Sequence, residues 1–437
     1  MKLEPTASEK LSRWLPIVIF VVAFTVRGTL LSRLSSADII YGHMTANGLN
    51  TGDEGINVGV SLSLRGRFAD PFCRPTGATA HVPPSFPALT AIVFHVFGFG
   101  LAGGIVRNMV NIAGYSILFA ILPAAAAALS MSRTVGVLAG FAGALYPAFR
   151  SAEVFRGRDE WLAAVLLLWL TVLAFRLSKQ STLRLWSAVA YGAGWGVMMY
   201  VQPSAAVIFP IHLIVLLAVH RGKPLLLRVK YVAVAALLMA VVILPWTIRN
   251  RRVMGGWLFM RDNLGLELHV SNGDLARSSH LGNMSTGWFC AVHPVCSVAQ
   301  TQKVLELGEL EFNRRDLATA HEWIVRNKGS FLRLTLGRMA YFWTDLPSNR
   351  MTFLVRTVLS LASFVGIALM WRDRLRLQVA LVGTILLMYP LPYYIVQYSD
   401  RYVAVISFAL LLPAAFAFNR LVAAASVSRY RRRIGSG

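Results

Sequence analysis

Four carboxylates set beside apolar runs, Asp53, Glu54, Asp159 and Glu160, are the residues in this chain best suited by type and place to do chemistry. Asp53-Glu54 follows Gly52 and opens an apolar-periodic run of Ile56, Val58, Val60, Leu62 and Leu64. Near a low-dielectric boundary a carboxyl pKa rises, which suits a general base taking a proton from a hydroxyl. Adjacent carboxylates point in different directions on a helix, so at most one of the pair faces a given pocket. The competing reading is a helix start, where acidic residues meet the macrodipole favourably. Glu153, Arg156, Arg158, Asp159 and Glu160 crowd into Arg150–Glu160, just before the apolar run that begins at Trp161. Asp159 or Glu160 is the candidate for a substrate-orienting or base-assisting acid. A solvated loop with local ion pairs, each worth little, is the plainer alternative.

Cations collect next to the same kind of boundary. Pro245-Trp246-Thr247-Ile248-Arg249-Asn250-Arg251-Arg252 lies at the exit of an apolar run. Interfacial Trp is an ordinary belt residue, and Arg there can hold lipid headgroups. Guanidinium forks also match phosphate oxygens bidentately, which is what a phosphate leaving group needs. Arg350 and the Asp400-Arg401-Tyr402 turn add cations at the same level. His81, in His-Val-Pro-Pro, is either a further phosphate contact or a cap on the turn before the prolines.

The elements that must carry these residues follow from composition. The chain has 437 residues, 56% hydrophobic and only 14% charged, with a mean hydropathy of +0.57. Soluble domains carry about 25% charged residues, so this is a polytopic membrane protein. The net charge of +23 arises mostly from short Lys/Arg clusters between apolar runs. That pattern is the positive-inside bias, and it excludes nucleic acid as the expected partner. The first run has no small-residue cleavage site after it and is expected to be a retained anchor. Spans are expected at Trp14–Leu34, Ile105–Leu129, Thr134–Phe149, Trp161–Leu177, Leu185–Val201, Ser204–His220, Tyr231–Trp246, Val355–Met370, Leu377–Tyr394 and Tyr402–Phe418. Phe86–Phe99 and Phe331–Trp343 are shorter, a length typical of interfacial helices. Leaving both out gives about ten spans, puts every short basic cluster and both termini on the cytoplasmic side, and leaves Arg27 as the only strong mid-span charge.

Three segments then face outside: Ser35–Gly104, Arg150–Glu160 and Thr247–Ser330, with Gln397–Arg401 as a brief turn. Every residue singled out above falls on that face. The expected division is a catalytic transmembrane core over 1–346 and a C-terminal unit of helices and basic tail over 347–437. Val304 to Asn327 reads as helical. Cys73, Cys290 and Cys296 all fall in outside loops. A Cys290–Cys296 disulfide is permitted there, and two unpaired thiols are equally open, since a six-residue spacing does not fix the geometry. No cluster with zinc spacing is visible.

The order of these motifs resembles the polyprenyl-phosphate-sugar-dependent glycosyltransferases of the GT-C fold. It is closest to family 39, which includes protein O-mannosyltransferases and lipid A aminoarabinose transferases. The carrying residues are Asp53-Glu54, Arg65-Gly66-Arg67-Phe68, Gly77, Pro83-Pro84-Ser85-Phe86-Pro87 and Phe97-Gly98. Pro245-Trp246 with Arg249-Asn250, Asn263, Gly265, Ser271-Asn272-Gly273 and the late Arg401-Tyr402 continue the match. The resemblance implies Asp53 as general base with Glu54 supporting, and Asp159 or Glu160 as the second-loop acid. It implies Arg249 and Arg401 on the donor phosphate, with Arg350 and His81 as further contacts. The family often has Lys before the paired prolines, whereas His81 stands two residues before them here. An all-α, GT-C-like bundle is implied, with interfacial helices in the first outside loop.

The implied partners are a polyprenyl-phosphate sugar donor, membrane lipids and an acceptor that is lipid, glycan or protein. A base would deprotonate or orient the acceptor for in-line attack at the anomeric carbon, with inversion, while cations stabilise the departing phosphate. The implied setting is a bacterial inner membrane with the active face periplasmic or extracellular. No cofactor is required by this scheme; some relatives hold a divalent metal through such acids. The alternative is a transporter or flippase of a lipid-linked saccharide, which would favour charges buried mid-span and broken helices repeated in two halves.

Overall fold

The computed structural model describes residues 7–36, 39, 43–45, 48–50, 53–146 and 158–434. In hydrocarbon every backbone N–H and C=O must be satisfied internally, so the apolar runs form helices. Among the described residues, seven helical stretches are long and apolar enough to cross a membrane: Trp14–Leu31, Leu101–Ala128, Glu160–Ser178, Leu225–Met254, Arg350–Arg372, Arg376–Ile395 and Ser407–Ala425. The other three expected spans are also helical but shorter: Arg133–Leu145, Leu185–Val201 and Pro203–Val219. Among the described residues one short hairpin, His43–Thr45 with Gly48–Asn50, interrupts the all-α expectation.

Small residues let the helices close on one another. A Cβ on Gly366 would stand 1.9 Å from the Pro413 carbonyl oxygen, where helix Arg350–Arg372 crosses helix Ser407–Ile434. The first helix, Ala7–Leu31, packs on Leu101–Ala120 and Arg133–Leu145. There Arg27 donates to the carbonyls of Ala144 at 2.9 Å and Gly143 at 3.1 Å. A cation at a helix C-terminus satisfies carbonyls that lack intrahelical partners. Arg27 is not the only buried charge in the spanning helices, as the sequence suggested: Arg107 and Arg356 are buried as well.

Helix Leu225–Met254 continues past Trp246, where the sequence placed its end. Thirty residues rise about 45 Å, so this helix is longer than the roughly 30 Å hydrocarbon core. In the segment between the first two long apolar helices, helix Glu54–Arg65 packs on Ser85–Phe97. A Cβ on Gly59 would lie 2.8 Å from the Thr90 side chain, so glycine sets this approach. The long segment after helix Leu225–Met254 forms its own small core of Leu266, Val270, Phe289, Val292, Val304 and Phe312, joined by Phe72 from the first loop. The helix expected over Val304–Asn327 is two, Val298–Leu307 and Glu309–Arg326, broken at Gly308 with φ 78°.

Candidate functional site

Asp53 caps helix Glu54–Arg65: its Oδ1 accepts the amides of Gly55 at 3.0 Å and Ile56 at 3.1 Å. The cap that sequence offered as an alternative is therefore present. Its Oδ2 accepts the Arg158 guanidinium. Arg158 also lies 3.7 Å from Glu54, so two segments distant in the sequence are joined through one cation. Asp53, buried at 2% exposure, depends on that pairing, because an unpaired buried charge is costly.

The second segment supplies Arg158, Asp159 and Glu160 at the head of helix Glu160–Ser178, while Glu153 lies outside the described residues. Asp159 accepts a short hydrogen bond from the Ser85 hydroxyl. Burial and the neighbouring Glu160 charge push its carboxyl up to about 7. Glu160 faces Arg401, with Oε1 3.5 Å from Nη1. Arg401 begins the helix Arg401–Ala404, whose amide is capped by Asp400 at 3.0 Å.

Behind Asp53, Glu54 meets two imidazoles that arrive from distant loops. His293 Nε2 lies 3.4 Å from Glu54 Oε1, and one donor atom from each of Glu54, His81 and His293 falls within 4.8 Å of the others. Burial lowers both imidazoles, His81 to about 3, so both are neutral near pH 7. Burial alone would raise the Glu54 carboxyl, but the opposing charges hold it below the usual range; with neutral imidazoles, Arg158 is the cation that does so.

Two imidazoles and a carboxylate are zinc-type donors, and the buried His81 Nδ1 has no hydrogen-bond partner. His293 does not fit that role as placed. Its Nδ1 accepts the Val295 amide at 3.1 Å, which puts the proton of the neutral ring on Nε2, toward Glu54. A ligating imidazole instead donates its second N–H to an acceptor. Binding a cation through either nitrogen of His293 would break the Val295 bond. The arrangement is an imidazole N–H holding a carboxylate.

These groups line a cavity of about 340 Å³, together with Arg261, Gln202 and Tyr402. Arg158, Arg261 and Arg401 converge there, and the charge of Arg401 bears unfavourably on each of the other two. Among the described residues no carboxylate lies within ion-pair distance of Arg261, whose Nε donates to the His81 carbonyl at 3.2 Å. A cavity with crowded guanidiniums and one unpaired cation suits an anion.

Four of the expected site acids, Asp53, Glu54, Asp159 and Glu160, and two of the expected cationic contacts, His81 and Arg401, line this cavity. Arg249 and Arg350 do not. Arg249 donates to the carbonyls of Thr79 at 2.6 Å and Phe68 at 2.9 Å and lies over the Phe68 and Trp246 rings. Arg350 is exposed at the start of its helix. Arg261 and His293 were not singled out from sequence; they lie within a long loop with no periodicity that points to them. Cys290 and Cys296 are disulfide-bonded, and Cys296 lines the same wall as His293.

No family model matches the chain, and no curated protein does. Solved structures do. An Archaeoglobus fulgidus oligosaccharyltransferase tethered to an acceptor peptide superposes with a TM-score of 0.56 at 14% identity, over 95% of this chain and 50% of that one. The archaeal oligosaccharyltransferase AglB from the same organism, with an inhibitory peptide and dolichol-phosphate, gives 0.54 at 11% identity over 97% and 52%. ArnT from Cupriavidus metallidurans, bound to undecaprenyl phosphate, gives 0.38 at 14% identity. The chain thus has a GT-C fold, and it spans about half the length of the oligosaccharyltransferase chains.

Proposed function

We propose that this chain is a membrane glycosyltransferase that moves a sugar from a polyprenyl-phosphate carrier to an acceptor hydroxyl at the cavity described above. The observation that carries the reading is the convergence of Arg158, Arg261 and Arg401 on a cavity that also holds Asp53, Glu54, Asp159 and Glu160. Several of those groups sit where helices enter the apolar slab: Glu160 opens a spanning helix and Arg401 precedes another. A phosphate headgroup held there leaves its prenyl tail beside apolar helix faces.

The reaction is a single displacement. A cavity carboxylate takes the acceptor proton, the acceptor oxygen attacks the anomeric carbon, and the phosphate departs with the bonding pair. Arg261 and Arg401 meet the charge that develops on the phosphate, which is the electrostatic share of catalysis. Arg158, already paired with Asp53, holds the acids in place. One displacement inverts the anomeric centre, and no second carboxylate nucleophile is needed.

The GT-C fold supports this reading, and so does the dolichol-phosphate named for the archaeal oligosaccharyltransferase AglB. The test is transfer of radiolabel from a panel of polyprenyl-phosphate sugars by purified protein in detergent or nanodiscs. Consumption of one donor, abolished in Arg401→Ala, supports the reading. Labelled donor crossing a proteoliposome bilayer unchanged, with no transfer, replaces it with the transporter.

A further inference from the structure

Five carboxylates line the cavity. Glu267 accepts the Asn263 side-chain amide at 3.2 Å, and the partners of the other four differ enough to separate their roles. Asp53 has both oxygens engaged: Oδ1 by two helix amides and Oδ2 by Arg158. A proton placed on it must displace a cap or a charge pair. Glu54 is held between Arg158 and His293, and Glu160 faces Arg401. Among the described residues no cation lies within ion-pair distance of Asp159, and its one side-chain partner is the Ser85 hydroxyl. A neutral hydroxyl donor steadies a carboxylate without removing its basicity as a guanidinium does.

Resting on the transferase reading, we propose that Asp159, oriented by Ser85, is the base that takes the acceptor proton, and that Asp53 is a positioning residue that fixes Arg158. The helix Ser85–Phe97 and the helix headed by Asp159 thus meet at the reacting hydroxyl, while Asp53 ties the first outside loop to the second. The groups that face Asp159 are Ser85 from the first loop and Arg158 and Glu160 from its own segment, with Arg401 beyond Glu160. Burial and Glu160 raise its carboxyl to about 7, whereas Ser85 and Arg158 act in the opposite direction. A base so placed is half-ionised near neutral pH, where proton transfer is most efficient.

The step balances. The acceptor O–H proton moves to an Asp159 carboxylate oxygen, the acceptor oxygen bonds to the anomeric carbon, and the bond from that carbon to the phosphate oxygen breaks. Its electron pair stays on the phosphate beside Arg261 and Arg401. Asp159 then returns the proton to solvent, ready for the next acceptor.

The experiment is the pH dependence of single-turnover transfer from a labelled polyprenyl-phosphate sugar, for wild type and three variants, with donor binding measured on each. Wild type should lose activity as pH falls below about 7. Asp159→Asn should lose roughly 100-fold or more in rate and show no acidic limb, with donor binding retained. Ser85→Ala, which removes a bond that lowers the Asp159 carboxyl, should move the limb to higher pH and keep its plateau. Asp53→Asn should raise donor KM and keep the limb. If Asp159→Asn keeps the limb and Asp53→Asn erases it, Asp53 is the base and this assignment is overturned while the transferase reading stands. If wild type transfers from no donor at all, the transferase reading itself falls and takes the assignment with it.

Discussion

Glu309 accepts the Thr79 hydroxyl at 2.6 Å and the Ala80 amide at 2.8 Å, joining two segments far apart in sequence. Thr79 in turn accepts the His81 amide at 2.9 Å, and Arg261 reaches the His81 carbonyl. The loop that carries His81 and leads to Ser85 is therefore held from the long segment. Glu309→Ala leaves two buried donors unpaired, which costs about 1–3 kcal/mol of stability. A lower Tm together with a raised donor KM is expected; unchanged values for both would show that the loop is fixed by other contacts. Burial raises the Glu309 carboxyl to about 7, despite its hydrogen bonds. The folded state then binds more protons than the unfolded state between about 4.5 and 7, so this group makes stability fall as pH rises through that window. Glu309→Gln should flatten that slope, measured as Tm from pH 5 to 8.

Arg401 and Arg261 are expected to set donor affinity. Arg401→Lys keeps a charge but loses the fork that meets phosphate oxygens bidentately. A loss of about 1.4–3 kcal/mol in phosphate binding corresponds to a rise in donor KM of roughly 10- to 100-fold. Arg261→Ala should do the same, with loss of its bond to the His81 carbonyl and of its charge beside Glu267. Competition by free polyprenyl phosphate reads this directly: both variants should need more of it to inhibit, and equal inhibition would place the phosphate elsewhere.

Much of this site is legible in the sequence, and the reason is physical. Charge beside a long apolar run is anomalous, so Asp53-Glu54, Asp159-Glu160 and Arg401 stand out, and all five line the cavity. Helical apolar runs are legible for the same reason, and each expected span holds a helix among the described residues, seven of which have the length and hydropathy to cross. Pairings are not legible: nothing local links Asp53 to Arg158, or Glu54 to His293, because such contacts depend on how distant loops fold back. Arg249 shows the converse. An interfacial arginine reads as a phosphate ligand, yet its donors are spent on the carbonyls of Thr79 and Phe68. The end of helix Leu225–Met254 was misplaced because Trp246 and the arginines after it resemble a membrane exit, whereas the helix runs on to a left-handed glycine cap at Gly255.

The Cys290–Cys296 disulfide closes a short loop between helix Trp288–Val292 and the turn that carries His293 and Val295. Cross-linking a loop of this size stabilises by about 2 kcal/mol in the chain-entropy account. Reduction, or the double change to Ser, should lower Tm and loosen His293, whose Nδ1 depends on the Val295 amide. Transfer rate should fall more than donor binding, because neither Arg261 nor Arg401 lies in the bridged loop. Equal losses in both would show that the wall acts on the donor.

Arg249 separates the sequence expectation from the structure most directly. As a phosphate ligand, its loss would raise donor KM and leave folding intact. As placed, it fastens the Thr79 and Phe68 carbonyls and stacks against Phe68 and Trp246, with ring centroids at 5.2 and 5.0 Å. Arg249→Ala then removes two charge-assisted bonds and two cation–π contacts, a loss of about 2–4 kcal/mol. Arg249→Lys restores charge but spans only one carbonyl, so it should recover part of that loss. The expected result is a lower Tm for both variants, larger for Ala, with donor KM moved far less than by Arg401→Lys. A KM shift at unchanged Tm would return Arg249 to the donor phosphate.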